Sequence, residues 1–241
     1  MTIAASPLTG LSSDPRPVAA GLANPGGWNA MYPATVVDNQ DPDHQGRVKV
    51  RLPWSPDTGS GRFEAWARLT TLMAGPGRGT WFVPDEGDEV IVSFQAGDPR
   101  HPIVLGALWN GEDDPPERMA DGNHVRTILT RKGIRLTFDD TDGDVHLLLE
   151  TPGGQSVRLS DTGTNVVVTD ANGNEIALEA SGVTVTSPSK VTVQAPSVKV
   201  EATSVDVTCP ISTFSGVVKV DTLLATTVVS ATYSPGAGNV W

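Results

Sequence analysis

The chain has 241 residues, enough for one large domain or two smaller ones with a real core. Only 5% of them are aromatic, while Val, Thr, Gly and Pro recur throughout, which favours short strands and turns over helices. The formal charge of −11, with no basic run longer than a dipeptide, excludes a nucleic-acid binder, which must neutralise phosphates with a cationic face.

Residues 1–27 are rich in Pro, Gly, Ala and Ser and show no periodicity, so they read as an arm or a disordered tail, able to order against a partner. The first ten residues, MTIAASPLTG, lack the basic and apolar regions of a secretory signal. No stretch approaches the roughly 18 apolar residues of a membrane span. The expectation is a chain made soluble in the cytoplasm.

Residues 28–112 carry the pattern of a compact β domain. Candidate strands are Ala34 to Val37, Arg47 to Leu52, Phe63 to Leu72, Glu89 to Phe94 and Ile103 to Leu108. Arg47-Val48-Lys49-Val50-Arg51-Leu52 alternates charged and apolar residues, as a strand with one wet face does. Trp66 is the large core candidate. Five short strands without a convincing helix predict a small closed barrel, because closure removes exposed sheet edges. Residues 113–122 read as a charged, proline-bearing linker.

Residues 123–225 change character. Short strands alternate with turn clusters such as Thr151-Pro152-Gly153-Gly154 and Asp170-Ala171-Asn172-Gly173-Asn174. A repeat then appears: Val183-x-Val185, Val191-x-Val193, Val198-x-Val200 and Val205-x-Val207, at spacings of eight, seven and seven residues. Within each unit both valines point one way and the middle residue (Thr184, Thr192, Lys199, Asp206) points the other. Seven extended residues span only about 23 Å and cannot complete a coil of a single-chain solenoid. Three identical chains about a threefold axis solve this, each giving one wall per layer and filling a shared core with valines. The sequence thus predicts an all-β fold, a barrel followed by an intertwined triple-stranded β-helix. The eight valines form the trimer core, and residues 226–241 form its tip.

No catalytic set, cofactor site or metal site is expected. Asp139, Asp140, Asp142 and Asp144 cluster without the spacing of an EF-hand, and the turn after Phe138 accounts for them. Asp41, Asp43 and His44 have the chemistry of chelators but read as a solvated loop. Gly75-Pro76-Gly77-Arg78-Gly79 lacks the lysine and hydroxyl residue of a phosphate loop. Trp54, Trp66 and Trp81 with Arg47, Arg51 and Arg68 have the residue types of a single-strand or sugar surface, opposed by the net charge. Cys209, the only cysteine, allows no intrachain disulfide and reads as a small buried hydrophobe.

The wording of the barrel carries a resemblance. Asp41-Pro42 with Gly46-Arg47-Val48-Lys49-Val50 and Pro53-Trp54 comes first. Trp81-Phe82-Val83-Pro84 with Gly87-Asp88-Glu89-Val90 follows, and then Gly97-Asp98-Pro99-x-x-Pro102 with Gly106-x-Leu108-x-Asn110. In that order, and followed by the valine repeat, they resemble the oligonucleotide/oligosaccharide-binding (OB) barrel of phage baseplate assembly protein V and of valine-glycine repeat (VgrG-like) spike proteins. Thr130 to Asp140 and Asp170 to Ile176 are similar to the start of those proteins' trimeric β-helix. The resemblance implies the structural, non-enzymatic central spike of a contractile injection machine, such as a phage tail, a tailocin or a related particle. It implies a homotrimeric needle that caps the tube and pierces a target envelope when an outer sheath contracts. The implied partners are a separate hub protein of the baseplate (the candidate partner of residues 1–27), inner tube or baseplate wedge proteins, and a PAAR-type tip protein at the C-terminal end. Tyr233, Val240 and Trp241 are the candidate tip contacts; Trp241 alternatively caps the valine core. The iron-holding His-x-His of some relatives has no counterpart, since no histidine lies beyond His146. The target membrane is met only in passing. A trimeric receptor-binding adhesin or tail fibre is the competing class.

Overall fold

Period-two alternation of small branched residues builds the first part of the chain. The computed structural model describes residues 28–232 apart from 58, 60 and 164; the proposed arm 1–27 and the tip residues Tyr233, Val240 and Trp241 lie outside them. The strands are β1 (Tyr32–Asp38), β2 (Val48–Arg51), β3 (Glu64–Leu69), β4 (Ala74–Gly75), β5 (Arg78–Gly79), β6 (Glu89–Phe94) and β7 (Pro102–Ala107). Five of them close a barrel in the order β1-β2-β3-β7-β6. Its pairs are antiparallel except β3 with β7, where Arg68 stands beside Ile103 and Leu69 beside Val104. Register shifts between Val36 and Asp38 and between Ile91 and Val92 bend the strands as closure requires. This is the expected OB-type barrel.

Alternate residues of every barrel strand meet inside: Ala34 and Val36, Val48 and Val50, Ala67, Val90 with Val92 and Phe94, and Val104. Trp66 does not join them. Its neighbour Ala67 takes the inward position, and Trp66 stands opposite Lys49 on the outer face with the Arg47 guanidinium 5.7 Å above its ring. The bulk of the tryptophan suggested core; the phase of β3, set by buried Ala67, puts it outside. Trp28, Tyr32, Trp54 and Phe94 form an aromatic cluster where the start of β1, the end of β6 and the loop after β2 meet. Trp54 Nε1 donates to the Pro33 carbonyl at 2.9 Å, which satisfies its one polar atom.

After the linker come β8 (Val125–Leu129), β9 (Arg135–Asp139), β10 (His146–Glu150), β11 (Ser156–Ser160), β12 (Val166–Thr169), β13 (Glu175–Glu179) and β14 (Gly182–Thr186). They make a seven-stranded sheet in chain order, each strand antiparallel to the next. The turns are the polar clusters read from the sequence. In one of them the Asp170 carboxylate accepts from the backbone N–H groups of Asn172 and Asn174, and from Asn174 Nδ2 at 2.8 Å. Barrel and sheet are tied by Arg131 to Asp85 at 3.3 Å, between the β8–β9 turn and the loop before β6. In the linker, Glu117 accepts from Thr127 and from Arg135 on one face of the sheet.

The chain divides between Ser189 and Lys190 into two units. In the second, residues 190–232 form no strand with their own chain. Among the described residues there is no α-helix, and no helix long and apolar enough to cross a membrane.

Candidate trimer interface and other candidate sites

The candidate chelators of the barrel are already engaged with each other. Asp41 is nearly fully buried, and its carboxylate accepts from the N–H groups of Asp43, Gln45 and Arg47 and from the Arg47 guanidinium. The Arg47 guanidinium and those backbone donors hold the Asp41 carboxyl well below the usual carboxylate range despite its burial. The same guanidinium reaches Asp43 at 2.5 Å. The loop is therefore a closed ion pair that shapes the β1–β2 connection. The acidic turn after Phe138 is used likewise: Asp139 accepts from the Thr141 N–H, Asp140 pairs with Arg126 and Asp144 with Arg158. Among the described residues no group of three or more His, Cys, Asp and Glu side chains is placed to hold a metal.

The aromatic and basic residues that suggested a sugar or single-strand surface are scattered. Trp54 is within the aromatic cluster, Trp66 lies under Arg47, and Trp81 lies over Gly46. Arg51 is paired with Glu64, whose carboxyl is held low first by that arginine and then by Lys49. Gly75 to Gly79 is the turn of the β4–β5 hairpin.

A different surface emerges from the register of β8–β14. Residues directly opposite each other across antiparallel strands share a face. One column runs Ile128, Leu136, Leu149, Val157, Val168, Ile176, Val185. The column beside it runs Arg126, Phe138, Leu147, Leu159, Val166, Leu178, Val183. Every member but Arg126 is apolar, so the sheet carries a hydrophobic face seven strands long that is two residues wide from β9 to β14. The opposite face is mixed: its central column runs Thr127, Thr137, Leu148, Arg158, Val167, Ala177, Thr184, and beside it Ser156 Oγ and Thr169 Oγ1 meet at 2.7 Å. In the single chain the apolar columns are open to solvent, with Leu149, Ile176 and Leu178 all exposed.

The eight predicted core valines fall in both units. Val183 and Val185 are the last rungs of the two columns, in β14. Val191, Val193, Val198, Val200, Val205 and Val207 belong to the second unit. All eight are exposed by 56 to 72% in the single chain. Cys209, expected to be buried, is also exposed there. Among the described residues, 190–232 make no strand ladder with their own chain. The six valines from Val191 to Val207 thus sit exposed on a backbone outside any ladder of their own chain, a surface that other copies of the chain can cover.

The upstream columns were not singled out from sequence, although the same signal marks them. Leu136-x-Phe138, Leu147-x-Leu149, Val157-x-Leu159, Val166-x-Val168 and Ile176-x-Leu178 are the same apolar-x-apolar unit as the valine repeat, at a longer spacing.

Comparison with known proteins assigns both halves. Residues 32–109 match the type VI secretion system/phage-baseplate injector OB domain. Residues 146–207, spanning β10–β14 and the valine repeat, match the phage baseplate V C-terminal trimerisation domain. The chain is 32% identical over 145 residues to the type VI secretion system spike protein VgrG3 of Vibrio cholerae, covering 56% of this chain and 14% of that protein. It is 40% identical over 126 residues to spike protein VgrG1c of Pseudomonas aeruginosa, 48% of this chain and 17% of that protein. A third relative, actin cross-linking toxin VgrG1 of Vibrio cholerae, is 32% identical over 114 residues, which is 44% of this chain and 10% of the toxin. These matches span at most about a sixth of each relative's length. With an injector OB domain followed in order by a baseplate trimerisation domain, the chain belongs to the family of baseplate V and VgrG spike proteins.

Proposed function

We propose that the chain is the homotrimeric central spike of a contractile injection machine, a structural part rather than an enzyme. The observation that carries the reading is the open apolar face of β8–β14, which ends on Val183 and Val185, together with six further solvent-exposed valines on a backbone without intrachain ladders. A chain alone leaves that surface in water. Three chains with the face turned inward bury it and present Thr, Lys and Asp outward. Burial on this scale makes the trimer the folding unit, as residues 190–232 of a lone chain are all exposed.

The function follows from the needle so formed. Its middle residues Thr192, Lys199 and Asp206 keep it water-surfaced, and its valine layers leave no cavity for a substrate. Such a body bears axial load and passes through a barrier when driven from behind. The barrel end docks on the hub of the baseplate at the end of an inner tube, beside baseplate wedge proteins. The C-terminal end, with Tyr233, Val240 and Trp241, seats a PAAR-type tip protein. The chain acts from within an assembled particle and meets the target membrane only during puncture.

The mass of the purified protein in native mass spectrometry tests the first step. The expected particle has three times the 25.3 kDa of the chain and survives mild detergent and moderate heat. A well-folded monomer removes the spike reading. Imaging of the trimer at the tip of a sheathed particle then tests its place.

A further inference from the structure

The barrel carries a second apolar surface that its own fold does not use. In the hairpin of β4 and β5 the Thr80 N–H donates to the Met73 carbonyl, so the next residues outward across the hairpin are Leu72 and Trp81. Leu72 is 96% exposed, Trp81 75% and Phe82 72%, and Met73 is exposed beside them. Between this hairpin and the β1–β2 loop lies a cleft of about 710 Å³, lined by Met73, Trp81 and Phe82 on one side and His44 and Gly46 on the other. From Thr70 to Val83 the chain has one charged residue, Arg78, within a molecule of net charge −11. Met, Trp and Phe without neighbouring charge make up the composition of a buried contact rather than of a solvated loop.

Two observations identify the occupant. The first is continuity with the trimer face. Phe82 is three residues from Asp85, at most about 11 Å along the chain. Asp85 is paired with Arg131 in the β8–β9 turn. That turn leads into Ile134, whose carbonyl accepts from Thr130 N–H and extends the ladder. By alternation Ile134 lies on the same face as Leu136 and Phe138, and it is exposed. The segment that carries the patch is thus tied through Asp85 and Arg131 to the turn from which the apolar sheet face starts. The second observation is charge. Identical copies that each carry −11 repel wherever their charged surfaces meet, so copies approach best through surface without charge.

We infer that the patch of Leu72, Met73, Trp81 and Phe82 seats against a neighbouring copy of this chain and closes the trimer at its barrel end. This rests on the proposed trimeric reading. The needle then holds the copies together below, and the hairpin contact fixes the three barrels relative to one another above.

The test has two arms on the full-length protein. In the unmodified trimer, hydroxyl-radical footprinting compares Met73 and Trp81 with Met119, a linker residue 96% exposed in the single chain. Oxidation of Met73 and Trp81 at least several-fold slower than that of Met119 is expected; rates like that of Met119 overturn the contact. In the second arm, Phe82→benzoylphenylalanine and Leu72→benzoylphenylalanine are illuminated and the joined peptides mapped. Adducts between two copies, each involving residues 70–83, are expected. Adducts to residues 1–27 of the same chain, or to a different protein only in assembled particles, assign the patch to another occupant and overturn the inference. A trimer by native mass with neither protection nor interchain adducts overturns it and leaves the spike reading standing. A monomer by native mass removes both.

Discussion

Arg47 closes onto Asp41 across the loop between β1 and β2, with Arg47 Nη2 2.7 Å from Asp41 Oδ1. The backbone N–H groups of Asp43, Gln45 and Arg47 donate to the same carboxylate, so one buried anion organises the whole connection. The residues that seemed suited to bind a cation bind a guanidinium instead. The pairing also brings Arg47 above Trp66, so one arginine ties the loop to β3.

Acid should therefore weaken the barrel through this loop. The folded-state pKa of Asp41 lies well below its ordinary 3.8, so its contribution is complete above that value and is lost as pH falls towards the folded pKa. Asp170, lowered to about 2 chiefly by hydrogen bonds from Asn174, acts in the window between 3.8 and 2. Asp41→Asn should lower the urea midpoint at pH 7, with a gap to the unmodified protein that holds down to about pH 5 and narrows below pH 4. Midpoints measured from pH 2.5 to 7 check this. A gap that does not change with pH means that Asp41 is not paired as described.

The apolar columns predict which truncations matter. Ile176 is 44% exposed in the single chain but sits mid-column, opposite Val168 and Val185. If it is buried between copies, Ile176→Ala should cost roughly 2–5 kcal/mol per chain, the range for buried isoleucine. Thr184→Ala, on the opposite face of the neighbouring strand, should change stability by less than about 0.5 kcal/mol, as surface changes do. Unfolding at several protein concentrations checks both: a midpoint set by trimer dissociation rises with concentration, and Ile176→Ala should lower it at every concentration while Thr184→Ala leaves it in place.

Charge placed on either face gives a sharper contrast. In the proposed trimer, Val168→Glu in β12 and Val200→Glu in the second unit each put three carboxylates into the shared core. Such unpaired buried charges cost far more than a trimer contact of this size returns. Native mass spectrometry should show monomer or aggregate for both. Thr192→Glu, at the wet middle position of its unit, should leave the mass at three times 25.3 kDa. Trimers from all three variants alike would remove the face assignment.

Much of this architecture could be read from residue order because strand alternation is a local signal. Val48, Val50 and Leu52 announce their face by themselves, and each turn cluster between β9 and β14 marks its own bend. Trp66 misled because its size argued for burial, whereas the phase of β3 is set by Ala67, a residue too small to draw notice. The columns from Ile128 to Leu178 were missed for a different reason. Their strands are separated by turns of unequal length, so the unit recurs at about ten residues without a fixed period, and Leu148, Val167 and Ala177 on the other face blur the alternation. The shorter, regular spacing after Val183 stood out because its turns are nearly uniform. The Trp81 patch had no sequence signal of its own, since exposure of an aromatic pair is decided by the hairpin that carries it.

The contact between Gly46 and Trp81 offers a test of the barrel surface that is independent of the trimer core. Gly46 has φ +73°, and a Cβ there would lie 2.9 Å from Trp81 Cζ3. Gly46→Ala therefore meets two separate penalties: left-handed backbone strain of roughly 1–2 kcal/mol and a steric clash with the ring. Trp81→Ala removes only the second. In a double-mutant cycle followed by urea unfolding, Gly46→Ala should cost about 1 kcal/mol less in the Trp81→Ala background than in the unmodified chain, while keeping the backbone part. An equal cost in both backgrounds means that the ring does not rest on Gly46, and that the cleft between hairpin and loop has a different wall. A cost that vanishes with Trp81 means instead that the loop relaxes its left-handed turn once the ring is gone, making the indole the element that holds the β1–β2 connection in shape.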